Sequence, residues 1–177
     1  RLSLVGSEMC IRDRSWIVRV GNGHAPEHLT LWCEDEPIVI AGDQIISSIS
    51  PNLGVYATEP DADPVQEWLT SCEAFLPFSN DKQLVLPGHK LPFYGLPHRL
   101  KQLIENHHSA LKRLVAFLKE PQTAVDCFPV LFNRKISDNE YGLALVEAVA
   151  HLNHLYRKKI VKRELNSKGA YVYTLKN

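Results

Sequence analysis

Short apolar segments in the N-terminal half of the chain are separated by polar turn residues. Four of them have the length and β-rich composition of strands, and they are residues 16–20, 29–33, 37–41 and 83–86. The acidic triplet Glu34-Asp35-Glu36 lies between the second and third segments. A polar triplet between two apolar runs predicts the turn of a β-hairpin. We therefore expect a sheet in this half of the chain.

A helical period follows the third predicted strand. Asp63 can cap a helix whose first position is Pro64, because proline suits a position that needs no hydrogen-bonded N–H. The apolar residues that follow recur at helical spacing, and they are Val65, Trp68, Leu69, Cys72, Phe75 and Leu76. Strands combined with such a helix predict an α/β layered fold for residues 15–96.

The pattern changes at about residue 97. The predicted elements are helices over residues 100–118, 124–132 and 138–155 and a β-hairpin over residues 159–175. Ser137-Asp138 caps the third helix, and the hairpin turns at residues 166–169. Three helices and a hairpin form a winged helix-turn-helix pattern, which predicts a mostly α second domain over residues 97–177. Its predicted core is Leu114, Val115, Leu118, Val125, Phe128, Leu145, Val149, Leu152 and Leu155.

The first 14 residues, RLSLVGSEMCIRDR, show neither helical nor strand periodicity. The string resembles a translated sequencing adapter, so we interpret residues 1–14 as an artefactual or disordered tail and leave them out of the fold prediction. On this interpretation the natural protein extends upstream, and we expect its N-terminal part to be missing from this sequence.

Charge and composition narrow the class of protein. The 177 residues have a formal net charge of zero, but residues 1–99 hold 7 Lys+Arg against 13 Asp+Glu and residues 100–177 hold 13 against 7. This asymmetry favours two modules. No apolar run approaches the roughly 18 residues of a membrane span, and no secretory signal is visible. The four cysteines form no C-x-x-C pair, so neither a zinc knuckle nor a redox motif is indicated. Because no secretory signal is visible, we expect a reducing, cytoplasmic location.

Three strand-like runs end in a glycine followed by a side chain that can bind a metal. The pairs are Gly23-His24, Gly42-Asp43 and Gly88-His89, at spacings of 19 and 46 residues. Imidazole and carboxylate groups suit Zn²⁺ and similar ions. Each pair alone indicates no more than a turn, but the ordered set predicts a site that tertiary structure brings together.

The segments GHAPEHLTL, PIVIAGDQI and LVLPGHKLPF resemble the last three signature motifs of the metallo-β-lactamase superfamily, in the family's order. The resemblance covers about residues 16–93. It implies a partial αββα sandwich over residues 15–96, followed by a winged-helix-like domain. The family's earlier motif, H-x-H-x-D-H, does not occur in this chain, which agrees with the expected truncation.

The resemblance implies a role for each of the three candidate ligands. His24 corresponds to the third histidine of the first metal site, Asp43 to the carboxylate that bridges both metals, and His89 to the histidine of the second site. Two Zn²⁺ ions are expected per intact protein, with Mn²⁺ or Fe²⁺ as alternatives. The implied activity is hydrolysis of an ester, thioester, lactone, lactam or phosphodiester by metal-activated water. Three ligands are too few for two metals, so we expect this chain alone to be inactive.

Three further histidines have open assignments. His28 lies four residues after His24 and is interpreted as an orienting or packing neighbour of the ligands. His107 and His108 lie on the long predicted helix, where they can line a substrate pocket or form a solvated face. A small-molecule substrate is the expected partner, and the oligomeric state stays open.

The C-terminal region offers an alternative function. A basic cluster there comprises Arg157, Lys158, Lys159, Lys162 and Arg163. A winged helix can bind nucleic acid through such residues, so the alternative is a nucleic-acid-binding protein with a non-catalytic hydrolase-like remnant. The other interpretation is that this domain only packs over the active site. An H-x-H-x-D-H motif in the complete reading frame discriminates between enzyme and binding module.

Overall fold

A computed structural model describes residues 8–11 and 13–176. Its contacts divide the chain into two compact units. The first unit contains the described residues up to Pro51 together with Glu67–Ile104, and the second contains Asn52–Gln66 and the described residues from Glu105 onward. The fold is mixed α/β, as the sequence predicts.

The first unit is built on a five-stranded sheet. Its strands are β1 (Glu8–Ile11), β2 (Arg14–Gly21), β3 (His28–Cys33), β4 (Ile38–Gly42) and β5 (Leu84–Pro87). They lie in the order β1-β2-β3-β4-β5; the first four pair antiparallel, and β5 pairs parallel with β4. The four strands predicted from the sequence all form.

Strand β1 lies in the segment that the sequence assigns to a tail. Glu8 pairs with Ile17 and Ile11 pairs with Arg14, so residues 8–11 form the edge of the sheet. A strand is held by backbone hydrogen bonds, which do not require apolar and polar side chains to alternate. Side-chain periodicity therefore gives no sign of β1. The remaining residues of that predicted tail, 1–7 and 12, lie outside the described residues.

Helix α1 (Pro64–Phe75) begins where the sequence predicts. The Asp63 carboxylate accepts a hydrogen bond from the Gln66 N–H at 3.0 Å, which is the expected N-terminal cap. Within the first unit, the Phe75 ring lies 5.7 Å from the Trp32 ring of β3. The helix therefore covers one face of the sheet, and that face is buried at Trp32, Val39, Ala41 and Val85.

The opposite face of the sheet is apolar but not fully covered in the described part of the first unit. Leu31 pairs with Ile40 across β3 and β4, and Leu29 lies two positions before Leu31 on the same face. Leu29 is 48% exposed and Ile40 is 38% exposed. Apolar side chains at such exposure form a surface that favours association.

The second unit contains α3 (Phe128–Phe132), α4 (Tyr141–Arg157) and the hairpin of β6 (Val161–Leu165) and β7 (Tyr171–Leu175). The long helix α2 (Leu96–Phe117) contributes its residues from Glu105 onward. Ser137 and Glu140 form a capping box just before α4. The helix-and-hairpin order matches the sequence prediction, and a winged-helix arrangement stays a prediction.

The second predicted helix is shorter than expected. Residues 124–127 form turns, and only residues 128–132 are α-helical. Thr123 and Asp126 form a capping-box-like pair at the start of this segment, and the Asp126 carboxylate accepts hydrogen bonds from the Thr123 N–H and hydroxyl at 2.9 and 2.6 Å. The α-helix begins only at residue 128 because Pro129 has no N–H to donate to the Val125 carbonyl, which accepts from the Phe128 N–H at 3.1 Å instead.

The predicted core of the C-terminal domain is only partly correct. Five of its members are buried, namely Leu114, Leu118, Phe128, Leu152 and Leu155. Val115, Leu145 and Val149 are only partly buried, and Val125 is 40% exposed. Helical periodicity reports which side chains share a face, and it does not report how completely that face is covered.

The contacts also divide the chain differently from the predicted boundary at residues 96 and 97. Residues 52–66 join the second unit: the Val55 N–H donates to the Val146 carbonyl, and the Asn153 amide donates to the carbonyls of Pro60 and Ala62. The later division falls inside α2. The sequence pattern marks where α2 begins, whereas the boundary between the two units depends on which residues each half of α2 contacts.

Candidate metal centre

Asp43 and His89 follow two neighbouring parallel strands. Asp43 comes directly after β4, and Gly88-His89 comes directly after β5. Gly42 pairs with Pro87 at the ends of these strands. The carboxyl ends of parallel strands meet at one edge of a sheet, which is where α/β folds hold their ligands. The topology therefore brings together two residues that are 46 positions apart.

Both imidazoles lie against the Asp43 carboxylate. His89 Nδ1 is 2.6 Å from Asp43 Oδ1, and His24 Nε2 is 3.8 Å from Asp43 Oδ2. The side chains of Asp43 and His24 are 24% and 27% exposed, whereas that of His89 is 68% exposed. The two histidines singled out from the sequence thus converge on the third predicted ligand, the partly exposed carboxylate of Asp43 in the first unit.

Two glycines make this approach possible. Gly42 has a φ of +52°, a left-handed conformation that permits the turn from β4 to Asp43. A Cβ at Gly88 would lie 2.7 Å from Asp43 Oδ1, closer than any side chain tolerates. The Gly88 N–H donates to the Gly42 carbonyl at 2.8 Å and joins the two turns. Glycine therefore avoids backbone strain before Asp43 and a close contact before His89.

The loop that carries His24 is held by two polar side chains that are not among the candidate site residues predicted from the sequence. Ser71 Oγ accepts the Asn22 N–H at 2.9 Å, and Gln44 Nε2 donates to the Asn22 carbonyl at 3.3 Å. Gln44 is fully buried beside Gly21, where a Cβ would collide with it. No motif marks Gln44 or Ser71, although the position of Gln44 next to Asp43 is a usable signal.

His28 lies beside the candidate ligands. Its ring centroid is 6.1 Å from that of His24, and its Nε2 would be 2.5 Å from a Cβ at Gly42. Burial, together with the nearby His24, lowers the pKa of His28, so its neutral form is favoured. This location agrees with the interpretation of His28 as a packing or orienting neighbour.

The donor atoms are of the types that bind divalent metals, but too few of them are positioned to hold one metal ion. Within the described ranges, no group of three His, Cys, Asp or Glu side chains has a geometry that could hold a metal ion. His89 Nδ1 and Asp43 Oδ1 are instead hydrogen-bonded to each other. Closed or catalytic zinc sites use three or four protein ligands per metal. Metal binding by these three residues, and the identity of the metal, stay predictions.

The histidines of α2 lie in the second unit, and one of them is buried there. His107 Nδ1 is 3.2 Å from His151 Nε2, and the two rings stack with an angle of 23°. Burial lowers the pKa of His107 to about 3 and that of His151 to about 4. The solvated-face interpretation is therefore wrong for His107. His108 lines a shallow surface pocket with His154.

The hydrogen bonds of this pair fix its tautomers. His151 Nδ1 lies 2.9 Å from the Glu147 carbonyl, which only accepts, so this nitrogen carries the hydrogen. In the neutral ring Nε2 is then the acceptor, and His107 Nδ1 must donate to it. A proton added to His151 Nε2 would face the N–H of His107, which adds to burial in opposing protonation of His151 at that nitrogen.

The basic cluster is partly occupied by contacts within the second unit. Arg157 donates to the Asp61 carbonyl at 2.9 Å, and Arg163 lies 3.4 Å from the Asp61 carboxylate. The Arg163 side chain is only 17% exposed. Two of the five cations thus contact groups of the protein itself, and nucleic-acid binding through the cluster stays a prediction.

Two properties of the described residues relate to the expected absence of a membrane span and to the redox state of the cysteines. Across residues 8–11 and 13–176, no helix is both long enough and apolar enough to cross a bilayer. Cys33, Cys72 and Cys127 are free thiols.

Known proteins share this architecture. A crystal structure of a β-lactamase domain protein from Burkholderia ambifaria is 34% identical to the chain, with a TM-score of 0.93, and the match covers 99% of this chain and 51% of that protein. A metallo-β-lactamase family protein from Thermus thermophilus is 26% identical, with a TM-score of 0.82, over 97% of this chain and 52% of that protein. No curated protein matches the chain.

A family model agrees with these structures. Residues 111–176 match the metallo-β-lactamase-like, C-terminal domain. The chain spans about half the length of the two structures that it resembles. The resemblance inferred from the three sequence motifs is thus confirmed: this is a chain of the metallo-β-lactamase family, and its residues 111–176 match the model of that family's C-terminal domain.

Proposed function

We propose that the chain supplies part of the metal centre of a hydrolase, with His24, Asp43 and His89 as ligands. The observation that carries the proposal is the Asp43 carboxylate, which has one histidine nitrogen near each of its two oxygens. Imidazole and carboxylate donors suit Zn²⁺ and accept Mn²⁺ or Fe²⁺. When bound, such a metal lowers the pKa of its water to about 7 and so supplies hydroxide at neutral pH.

The chain's own residues would orient the ligands. Each Asp43 oxygen lies near a different histidine nitrogen, so this carboxylate would hold a metal together with His24 or His89. Gln44 and Ser71 hold the loop of His24 through the Asn22 backbone. The buried Gln44 lies next to Asp43 in the sequence, so a shift of one would move the other. These contacts support a fixed position for the loop of His24 before any substrate arrives.

The chemistry of the site and the relatives support a range of substrate classes. The structural relatives are described as a β-lactamase domain protein and a metallo-β-lactamase family protein. Metal-activated water attacks an acyl or phosphoryl centre, so the proposed substrates are a lactam, lactone, ester, thioester or phosphodiester. Because the chain spans about half of those relatives, we propose that a longer protein supplies the H-x-H-x-D-H ligands and that this chain alone is inactive.

The proposal is tested on the product of the complete reading frame. Purified protein with Zn²⁺ or Mn²⁺ is assayed against one chromogenic compound of each of the five substrate classes, together with Asp43→Asn and, as a matched control, Asp81→Asn at an exposed position. We expect hydrolysis of at least one class, its loss in Asp43→Asn and its retention in Asp81→Asn. Equal activity of the two variants, or a complete frame without H-x-H-x-D-H, would overturn the proposal.

A further inference from the structure

A cavity of about 470 Å³ opens in the second unit. Residues 55–61, residues 123–125, α4 and the β6–β7 hairpin contribute to its wall. Every lining residue belongs to the second unit, so the cavity is a property of one compact body. Its volume lies in the range of roughly 300–1,000 Å³ that small-molecule sites occupy.

One wall of the cavity is apolar. Leu145 and Val149 lie one helical turn apart on α4, and Val125 lies near the start of α3. These are residues whose spacing predicts a core position but which are not fully buried. Their incomplete burial is explained by the cavity, because their shared face borders open space. The wall suits an aliphatic chain.

A buried acceptor continues this wall. Asn153 lies one turn after Val149, is 2% exposed and lines the cavity. Its side-chain N–H groups donate to the carbonyls of Pro60 and Ala62 at 2.9 and 3.2 Å, which fixes the orientation of the amide. Its Oδ1 is buried and has no hydrogen-bond partner in the described structure. A buried acceptor without a partner is costly. Because Oδ1 has less than 1 Å² of accessible surface, a ligand's donor would reach it only by displacing the cavity wall around Asn153.

A positioned cation also lines the cavity. The Arg163 guanidinium lies 4.6 Å from the centre of the Tyr156 ring and 4.4 Å from that of Tyr171. Its contact with Asp61 is long, at 3.4 Å, and the Asp61 side chain is 76% exposed, so this ion pair is weak. The guanidinium also donates to the Tyr173 side chain, and its remaining N–H groups have the planar geometry that a carboxylate accepts.

We infer that this cavity binds a small amphipathic carboxylate that also carries a hydroxyl or amide N–H group. Its aliphatic chain would lie on Leu145 and Val149, its N–H or O–H would donate to Asn153 Oδ1, and its carboxylate would meet Arg163. A single arginine beside an apolar wall suits one carboxylate better than a polyphosphate or a nucleic-acid backbone. The inference does not depend on the proposed hydrolase activity.

The first test uses the wild-type 177-residue chain and isothermal titration calorimetry. The probe is 3-hydroxydecanoate, and the comparison compounds are decanoate, which lacks the donor, and methyl 3-hydroxydecanoate, which lacks the charge. We expect saturable binding of one probe per chain and at least ~10-fold weaker binding of each comparison compound, as loss of one buried polar partner produces. Excess chelator should leave the affinity unchanged, which separates this site from any carboxylate held by a metal.

The second test uses paired variants. Val149→Trp should fill the cavity and abolish binding, while Leu143→Trp, on the same helix at an exposed position outside the cavity, should not. Arg163→Gln should weaken binding at least ~10-fold and Arg163→Lys should restore part of it, whereas Lys162→Gln, with the same charge change next to it, should alter binding less than ~2-fold.

Several outcomes would overturn the inference. They are the absence of saturable binding, equal affinity for all three compounds, loss of binding with chelator, and equal affinities in the two members of a variant pair. Circular dichroism identifies a variant that does not fold. In that event the ligand series decides alone, because it needs only the wild-type chain.

Discussion

His89 Nδ1 lies 2.6 Å from Asp43 Oδ1, and the two atoms form a hydrogen bond across the ends of β4 and β5. A metal bound by both atoms would have to replace this hydrogen bond. We expect Zn²⁺ to bind the isolated chain weakly and Asp43→Asn to weaken it at least ~10-fold further, because an amide is a poorer ligand than a carboxylate. Calorimetric titration with ZnCl₂ measures both values. His98→Asn at an exposed position is the control, and unchanged zinc affinity in Asp43→Asn would contradict the assignment.

Because Gly88 lies so close to Asp43, we expect that position 88 does not tolerate a larger side chain. Gly88→Ala places a Cβ 2.7 Å from Asp43 Oδ1, so we expect a loss of about 1–3 kcal/mol of unfolding free energy and a drop in zinc affinity. Gly142→Ala is the matched control, since a Cβ in α4 meets nothing within 4 Å. That change should stabilise the chain by about 0.5–1 kcal/mol. Urea unfolding measures both, and equal midpoints for the two variants would refute the steric argument.

The buried pair His107–His151 predicts a loss of stability in mild acid. Burial lowers the pKa of both rings, to about 3 and about 4, so the folded chain keeps them neutral while the unfolded chain takes up protons below about pH 6.5. Stability attributable to the pair is therefore present above about pH 6.5 and is lost as the pH falls towards about 4. His107→Leu removes one of these protons.

The measurement for the histidine pair is the change in unfolding free energy between about pH 7.5 and about pH 5.5. We expect the wild type to lose about 1 kcal/mol more than His107→Leu over this range. His98→Leu, at an exposed position, should lose as much as the wild type. Identical pH dependence of the wild type and His107→Leu would show that the pair does not titrate as described.

Glu147 predicts that stability falls as the pH rises, the opposite of the effect of the His107–His151 pair. Burial raises its pKa to about 7, although a hydrogen bond from Asn52 at 2.8 Å opposes the shift. The folded chain therefore holds a proton that the unfolded chain releases above about pH 4.5, so this group costs stability as the pH rises to about 7. Glu147→Gln keeps an acceptor for Asn52 and should raise the unfolding free energy at about pH 8 by roughly 1–3 kcal/mol. Thermal unfolding at about pH 8 and about pH 5 tests it, since the gain should vanish at the lower pH.

The exposed apolar face of the sheet predicts self-association. Leu29 and Ile40 lie on this face of β3 and β4, and we expect the double variant Leu29→Thr/Ile40→Thr to remain soluble at higher concentration than the wild type. Threonine keeps the β-branched shape that suits a strand. Light scattering during concentration is the measurement, with Leu165→Thr on β6 as the control. Equal aggregation of the double variant and the wild type would place the associating surface elsewhere.

The sequence predicts local elements well because their signals are local. Alternation and turn residues locate β2 to β5, and the Asp63-Pro64 cap locates the start of α1 to the residue. The candidate ligands can be recognised because each follows a strand and a glycine in a characteristic string. Periodicity could not find β1, whose pairing with β2 is a backbone property.

Non-local features could not be predicted in the same way. The spacing of Leu145 and Val149 is that of a core stripe, yet these side chains border a cavity because of what residues 55–61 and the hairpin leave open. Gln44 holds the loop of His24 through one contact with a backbone carbonyl, and no residue pattern encodes such a contact. Both features depend on segments that are distant in the sequence.

The parallel pairing of β4 with β5 has a consequence for folding kinetics. Antiparallel neighbours β1 to β4 follow one another through short connections, whereas residues 43–83 separate β4 from β5, and Asn52–Gln66 of that stretch belong to the second unit. Closing so long a loop costs entropy before the contact rewards it, and contacts of this kind slow folding. Asp43 and His89 lie just beyond these two strand ends, so their meeting must await the closure. A refolding chain should therefore acquire its β-meander first and its carboxylate–imidazole pair last.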